Sequence, residues 1–175
     1  MTAAPDDGGG AFCAHCGAGL RFEQDQAPTC PECGHRRYRN PAVGVAVILR
    51  DDAGRVLLGR RAKGAYAGLW CIPCGYVEWG EEVRAAAERE FAEEPGIRVE
   101  AQEVEAVHSN FHNAKQLTVG VWFRGVARGP ETGPTDGELD ALEYFDPGDP
   151  PALAFPTDAV VLHDLGAQRR RGEGQ

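Results

Sequence analysis

Alternating and continuous runs of apolar residues mark out most of the elements from residue 43 onward. "VGVAVILR" (43–50) and "RVLLGR" (55–60) are aliphatic runs of strand length flanking "DDAG", whose Asp and Gly read as a hairpin turn. The pattern then changes period. "EEVRAAAEREFAEE" (81–94) is rich in helix formers, and Pro95–Gly96 is a stop signal. Strand patterns return in "IRVEAQEVEAVHS" (97–109), "QLTVGVWFRGVA" (116–127) and "ALEYFD" (141–146), with a Gly/Pro loop at 129–137. "PTDAVVLHDL" (156–165) predicts a second helix with Thr157 or Asp158 as its cap. This irregular alternation predicts an α/β fold with a mixed sheet between helices, not a doubly wound parallel one.

The first helix carries an unusual charge pattern. At about 100° per residue, Val83, Ala87, Glu90 and Glu94 fall along one stripe, apolar in its first half and acidic in its second. Glu81 and Glu82 stand at the start, where the helix dipole favours negative charge, but Glu93 and Glu94 stand in the last turn, where it does not. Arg89 can pair with Glu93, and no basic neighbour on the helix relieves Glu90. A solvated acidic face explains neither the wrong-end placement nor the shared stripe. Carboxylates clustered towards a pocket call for a cation, and hard oxygen ligands suit Mg²⁺ or Mn²⁺.

Composition narrows the class. The 175 residues suffice for one well-buried domain with a small appendage, and 42% hydrophobic and 26% charged residues are ordinary for a globular chain. A net charge of −9 disfavours broad binding to nucleic acid or anionic membranes. The N-terminal "MTAAPDDGGGAF" lacks the basic and apolar regions of a signal peptide, and the apolar run "AVGVAVIL" (42–49) is far short of the roughly 20 residues of a membrane span. A cytoplasmic, membrane-free protein is expected.

All six cysteines fall in C-x-x-C pairs. Cys13/Cys16 in "CAHCG" and Cys30/Cys33 in "CPECG" each suit a knuckle presenting two thiolates, and two knuckles complete a tetrahedral site for Zn²⁺. Four thiolates leave no open position, so this zinc is expected to be structural and His15 and His35 to be spare. The layout that follows is a tail at 1–11, a zinc ribbon at 12–38, a main domain at 40–166 and a flexible end at 167–175.

From Gly75 to Ile97 the chain reads "GYVEWGEEVRAAAEREFAEEPGI", which resembles the Nudix hydrolase box along its whole length. The lead-in "LLGRRAKGAYAGLWCIPCGYVEWGE" is similar to that family too, and a zinc ribbon ahead of such a domain resembles the pyrophosphatases acting on NADH or FAD. The resemblance implies an α/β/α sandwich with a mixed sheet. It implies that Glu90, Glu93 and Glu94 hold divalent metal, that Arg89 orients these glutamates, and that Glu81 supports the network. Gly75 and Gly96 match positions where the backbone must turn. The implied reaction is attack by a metal-activated water on a nucleoside diphosphate-X, giving a nucleoside monophosphate and phosphoryl-X.

Two positions depart from the family pattern. Cys74 stands where glycine is usual, next to a backbone carbonyl that commonly joins the metal shell, and a non-glycine there is expected to carry a steric cost. Cys71 and Cys74 can be packed thiols, a soft-metal pair or a disulfide. Phe91 replaces an aliphatic residue and is expected to pack in the core. Substrate contacts are less marked: Arg60 and Arg61 for phosphate, Trp79, Phe111 and Trp122 for a base or flavin, and Glu138 as a further ligand or base. The NADH-type array and the tyrosine or proline of other subfamilies are absent, so FAD or a related dinucleotide is carried by the ribbon architecture alone. The rival readings are a nucleotide sensor without hydrolysis, and an RNA-binding ribbon suggested by "GHRRYRNP" (34–41). Nearby acids offset those arginines, which favours a scaffold or homodimer role.

Overall fold

The computed structural model describes residues 12–20, 28–38, 40–110, 112–113, 116–130, 133–134 and 137–172. The tail at 1–11, Phe111, parts of the 129–137 loop and residues 173–175 lie outside them.

Among the described residues, seven strands and two helices follow the order β1 (Ala42–Leu49), β2 (Val56–Arg61), β3 (Trp70–Cys71), β4 (Cys74–Tyr76), α1 (Val83–Glu93), β5 (Val99–Asn110), β6 (Thr118–Ala127), β7 (Leu139–Phe145) and α2 (Pro156–Gly172). The strands form a four-stranded sheet, β4-β1-β6-β5, and a three-stranded sheet, β3-β2-β7. The larger sheet is mixed: β1 runs parallel to β6, with Val45 opposite Val121, and the other pairs are antiparallel.

Period-2 alternation along β1 builds both faces of the sandwich. Val45, Val47 and Leu49 pack with Leu57, Ile97, Phe123 and the α1 residues Ala86, Ala87 and Phe91. Ala46 and Ile48 pack with Val56, Leu58, Ile72, Trp122 and the α2 residues Val161, Leu162 and Leu165. The sheets therefore lie between α1 and α2, the expected α/β/α arrangement. Phe91 is 1% exposed, as expected of a core residue. Burying such a side chain stabilises by about 1.5–3 kcal/mol.

The "DDAG" turn forms, with Gly54 at φ 74° and the Arg55 backbone N–H donating to Asp51 Oδ1 at 2.8 Å. It does not join paired strands, however. Beyond the Arg50–Val56 bridge, β1 pairs with β4 and β6 while β2 pairs with β3 and β7. Two further local readings change. The second helix runs on from the 156–165 pattern to Gly172; Arg169, Arg170 and Arg171 suit its C-terminal dipole, and Arg169 pairs with Asp146 at 3.2 Å. Neither Thr157 nor Asp158 is its cap, because the helix already begins at Pro156 and both lie in its first turn. The carboxyl is 2% exposed and accepts the Ile72 backbone N–H at 3.0 Å.

Candidate active site

Helix α1 starts one residue after Glu82, whose side chain caps it by accepting the N–H groups of Arg84 and Ala85. Glu81 thus lies outside the helix and is free to turn back. Arg89 meets it in a fork, Nε to Oε1 at 2.8 Å and Nη2 to Oε2 at 2.9 Å. This bidentate pairing holds the Glu81 carboxyl down at about 2, the Arg89 hydrogen bonds being the main cause and the Glu78 backbone N–H the next. The remaining donors of Arg89 reach Glu90 Oε1 at 2.9 Å, Glu93 Oε2 at 3.0 Å and the Tyr76 carbonyl at 3.1 Å. Glu90 is therefore relieved by its sequence neighbour, contrary to the sequence reading. The long guanidinium arm folds across the helix surface, which helical periodicity alone does not show.

Glu94, the C-cap, is 5% exposed. The Cys74 backbone N–H donates to its Oε2 at 3.4 Å. Cys74 opens β4 opposite Ala46, in ordinary strand pairing, so the steric cost expected of a non-glycine does not arise. Gly75 is also a strand residue, opposite Val45, and is not a turn. Glycine there leaves the room in which the Glu90 carboxyl group sits, which a Cβ would overlap. Gly96, at φ 72°, does mark the turn after the helix.

These groups face a cavity of about 610 Å³. Of the predicted residues, Glu90, Glu93, Glu94, Cys74, Gly75, Arg61, Trp122 and Glu138 line it, and Phe111 lies outside the described residues. Acids dominate its wall, with Glu78 and Asp158 added, and Arg61 is the one lysine or arginine among the described lining residues. Arg61 Nε is buried without a hydrogen-bond partner, and its guanidinium lies 5.6 Å from the Phe155 ring. Cys71, Cys74 and Glu94 are its electrostatic neighbours. Arg60, one step along β2, faces elsewhere and pairs with Asp140 at 2.7 Å. Trp79 is fully exposed and outside the cavity wall; Glu81 and Arg89 stand behind the wall as its support.

Several lining residues escaped the sequence reading, notably Asp158, Tyr76, Asn110, His112 and Phe155. Asp158 did leave a signal. It occupies the stripe that Val161, Leu162 and Leu165 continue at i+3, i+4 and i+7, so a carboxyl at that position had to be buried. Burial raises it to about 7, with the Ile72 N–H and the Trp122 indole opposing the rise.

The other cysteines divide as their spacing suggests. The Sγ atoms of Cys13, Cys16, Cys30 and Cys33 lie within 4.8 Å of one another, a metal-sized cluster. Each knuckle closes through glycine: Gly17 N–H donates to the Cys13 carbonyl at 2.8 Å and Gly34 N–H to the Cys30 carbonyl at 2.9 Å, both glycines at positive φ. Backbone N–H groups of Cys16 and His15 push the Cys13 thiol down to about 6, which favours the thiolate a metal needs. His15 and His35 stack on each other at 5.8 Å outside this cluster. Cys71 and Cys74 are free thiols, and the Cys71 thiol points to the Gly59 carbonyl at 3.8 Å. Among the described residues, the four ribbon cysteines are the only three-or-more group of His, Cys, Asp or Glu that gathers so tightly. The box glutamates Glu90, Glu93 and Glu94 share a cavity wall without gathering so tightly.

The chain has relatives of known type. An ADP-ribose pyrophosphatase of Methanocaldococcus jannaschii is 30% identical over 128 residues, 73% of this chain and 75% of its own length. The NAD-capped RNA hydrolase NudC of Chromobacterium violaceum is 30% identical over 156 residues, 88% of this chain and 56% of its own, so the chain spans little more than half of that relative. Among solved structures, a NUDIX hydrolase from Nitrosomonas europaea superposes with a TM-score of 0.73 at 31% identity, covering 92% of this chain and 93% of its own. No helix among the described residues is long and apolar enough to cross a membrane. The NUDIX domain family matches residues 40–165, and with the box glutamates gathered on one cavity wall the chain belongs to that family.

Proposed function

We propose that the chain is a Mg²⁺- or Mn²⁺-dependent pyrophosphohydrolase that splits a nucleoside diphosphate-X into a nucleoside monophosphate and phosphoryl-X. The carrying observation is that Glu90, Glu93 and Glu94 share one cavity with Arg61, whose Nε has no partner. Three carboxylates of hard oxygen donors, one of them buried, fit a divalent cation by charge and ligand type. A half-buried arginine on the cavity wall fits a phosphate oxygen.

The chain's own groups divide the work. Glu90, Glu93 and Glu94 would hold the cation, which when bound neutralises phosphate oxygens and acidifies water. Arg89 fixes the glutamates through its contacts to Glu90 and Glu93, and Glu81 fixes Arg89. Gly75 leaves the room in which the Glu90 carboxyl sits. Arg61 binds the diphosphate on the wall of the cavity, where it lies near Glu94 and Cys74. Glu138 lines the same cavity and is the candidate to accept a proton from the attacking water.

ADP-ribose and an NAD cap, named for the two relatives, both contain an ADP-ribosyl diphosphate, and this supports that class of substrate. The ribbon keeps FAD in the same group, as a dinucleotide with an adenosine diphosphate half. The zinc of the ribbon supports folding in this reading and takes no part in hydrolysis. A chromatographic screen of released monophosphate, with Mg²⁺, across ADP-ribose, NADH, FAD, NAD-capped RNA, dinucleoside polyphosphates and nucleoside triphosphates tests the proposal. Turnover of a diphosphate-X compound is expected. Tight binding of such compounds with no turnover would favour the sensor alternative.

A further inference from the structure

Aromatic rings from three parts of the chain meet beside Arg61. His112, after β5, and Phe155, just before α2, both line the cavity, their ring centroids 5.6 Å apart and their planes 32° from parallel. Tyr66, between β2 and β3, packs edge-on against both, at 5.4 Å from Phe155 and 6.2 Å from His112. The group is anchored from behind. Tyr66 and Phe155 pack on the buried residues Cys71, Leu139 and Ala154. The chain leading to Phe155 is tied to β3, Ala154 N–H donating to the Trp70 carbonyl at 2.7 Å and Trp70 N–H to the Ala152 carbonyl at 2.9 Å. The Phe155 carbonyl accepts the Asp158 N–H at 3.1 Å, and His112 Nδ1 pairs with Asn110 Oδ1. Phe155 is nonetheless only half-buried and His112 is exposed, so ring surface is left to the cavity. The other aromatic residues of this region suit a flat ligand less well. Trp122 is 5% exposed, Trp79 stands outside the wall, and Tyr76 is 54% exposed with no ring contact among the described residues to hold it.

We infer that His112 and Phe155 form the seat of the substrate's flat heteroaromatic ring, which stacks on them while Arg61 holds the adjoining phosphate. Proximity carries the assignment. The Arg61 guanidinium lies 5.6 Å from the Phe155 ring centroid, so the phosphate group and the aromatic surface are neighbours on one wall. In a nucleotide only a pentose separates the ring from its phosphate. Rings already fixed by their packing lose little freedom when a flat π system settles on them, and its arrival covers apolar surface that faces water. Stacking accepts every base because each has a π face. This seat therefore separates compounds that carry a base from those that do not, and discriminates only weakly among bases. The inference rests on the nucleoside diphosphate reading above, and it assigns these residues to substrate affinity, not to bond cleavage.

Calorimetric binding to the full-length chain in Mg²⁺ tests it, comparing ribose 5-phosphate with AMP, UMP and nicotinamide mononucleotide. Each base-bearing compound should bind about tenfold tighter than ribose 5-phosphate, and its base protons should show ring-current shifts by NMR. Phe155→Leu keeps an apolar partner for Tyr66 and Ala154 but removes one ring; His112→Ala removes the other. Each should cut the excess to about threefold or less, leave ribose 5-phosphate binding unchanged, and raise KM more than it lowers kcat. Phe155→Tyr keeps the ring and should keep the excess. An excess that survives Phe155→Leu or His112→Ala, or that is absent from the wild-type chain, overturns the inference. So does an equal loss for every compound, the mark of a purely structural cluster. If Phe155→Leu fails to fold, His112→Ala, a change at an exposed residue, decides alone. Hydrolysis measured in parallel separates the two readings: turnover without a base excess removes only this one, and a base excess without turnover removes only the pyrophosphohydrolase.

Discussion

Glu90 lies against the bare Cα of Gly75, so closely that a methyl group on Gly75 would overlap its carboxyl carbon and both oxygens. The glycine is a strand residue opposite Val45, and alanine suits that backbone. The overlapping atoms are the far end of a flexible side chain, which can swing aside at little cost. Gly75→Ala should therefore leave the melting temperature within a few degrees of wild type while moving Glu90 out of place. Activity should fall by about a hundredfold, in the range electrostatic stabilisation supports. Calorimetry beside kcat on the same preparation checks this; a large loss of stability would instead assign Gly75 a role in the sheet.

The ribbon makes a separate prediction. Four Sγ atoms within 4.8 Å of one another repel as thiolates unless a cation joins them. About one zinc per chain is expected by elemental analysis after purification without chelator. Cys30→Ser should lose that zinc and speed proteolysis within 12–38, with hydrolysis by the 40–165 domain retained. Zinc-free wild-type protein would contradict it.

Asp158 gives the molecule a pH dependence of defined sign. Unfolded, its carboxyl ionises near the ordinary value of 3.8; folded, burial keeps the proton until about 7. Across that window the folded chain binds more protons, so stability declines as pH rises, and above about 7 the decline stops. The titratable neighbour, Cys74, is raised well above its ordinary range by the Cys71 thiol and by burial, and stays neutral throughout. Asp158→Asn removes the ionisation. Its melting-temperature advantage over wild type should grow from pH 4 to pH 7 and then level off; a pH-independent difference would contradict the buried, raised carboxyl.

Period was the legible part of the sequence. The aliphatic runs marked β1 and β2, and helical spacing put Val83, Ala87, Glu90 and Glu94 on one stripe, of which Ala87 is buried and Glu90 and Glu94 line the cavity. Partners across long separations were not legible. Nothing local to "DDAG" says that β1 and β2 join different sheets, because that choice is made by β4, β6, β3 and β7. The reason for Gly75 depends on Glu90 folding back over it, and Arg61 was separated from Arg60 only by the side of β2 each occupies. Asp158 was the avoidable miss, since its apolar stripe was readable.

Glu94 supplies the sharpest test of the cation reading. It is the C-cap of α1, where the helix dipole disfavours negative charge, and it is 5% exposed and accepts the Cys74 N–H at 3.4 Å. Glu90 and Glu93 share Arg89 with Glu81, so one guanidinium faces three carboxylates and Glu94 adds a fourth negative charge nearby. Such a cluster costs stability until a cation joins it. Glu94→Gln keeps the shape and the acceptor for Cys74 but removes the charge. In EDTA it should melt at or above the wild-type temperature, the reverse of losing an ordinary ion pair, and Mg²⁺ should raise its melting temperature less than it raises that of wild type. Hydrolysis should fall at least about a hundredfold. Glu88→Gln is the control: Glu88 Oε1 accepts the Ala101 N–H at 2.9 Å, and glutamine preserves that bond between α1 and β5. Equal Mg²⁺ stabilisation and equal turnover in Glu94→Gln and wild type would remove Glu94 from the cation site.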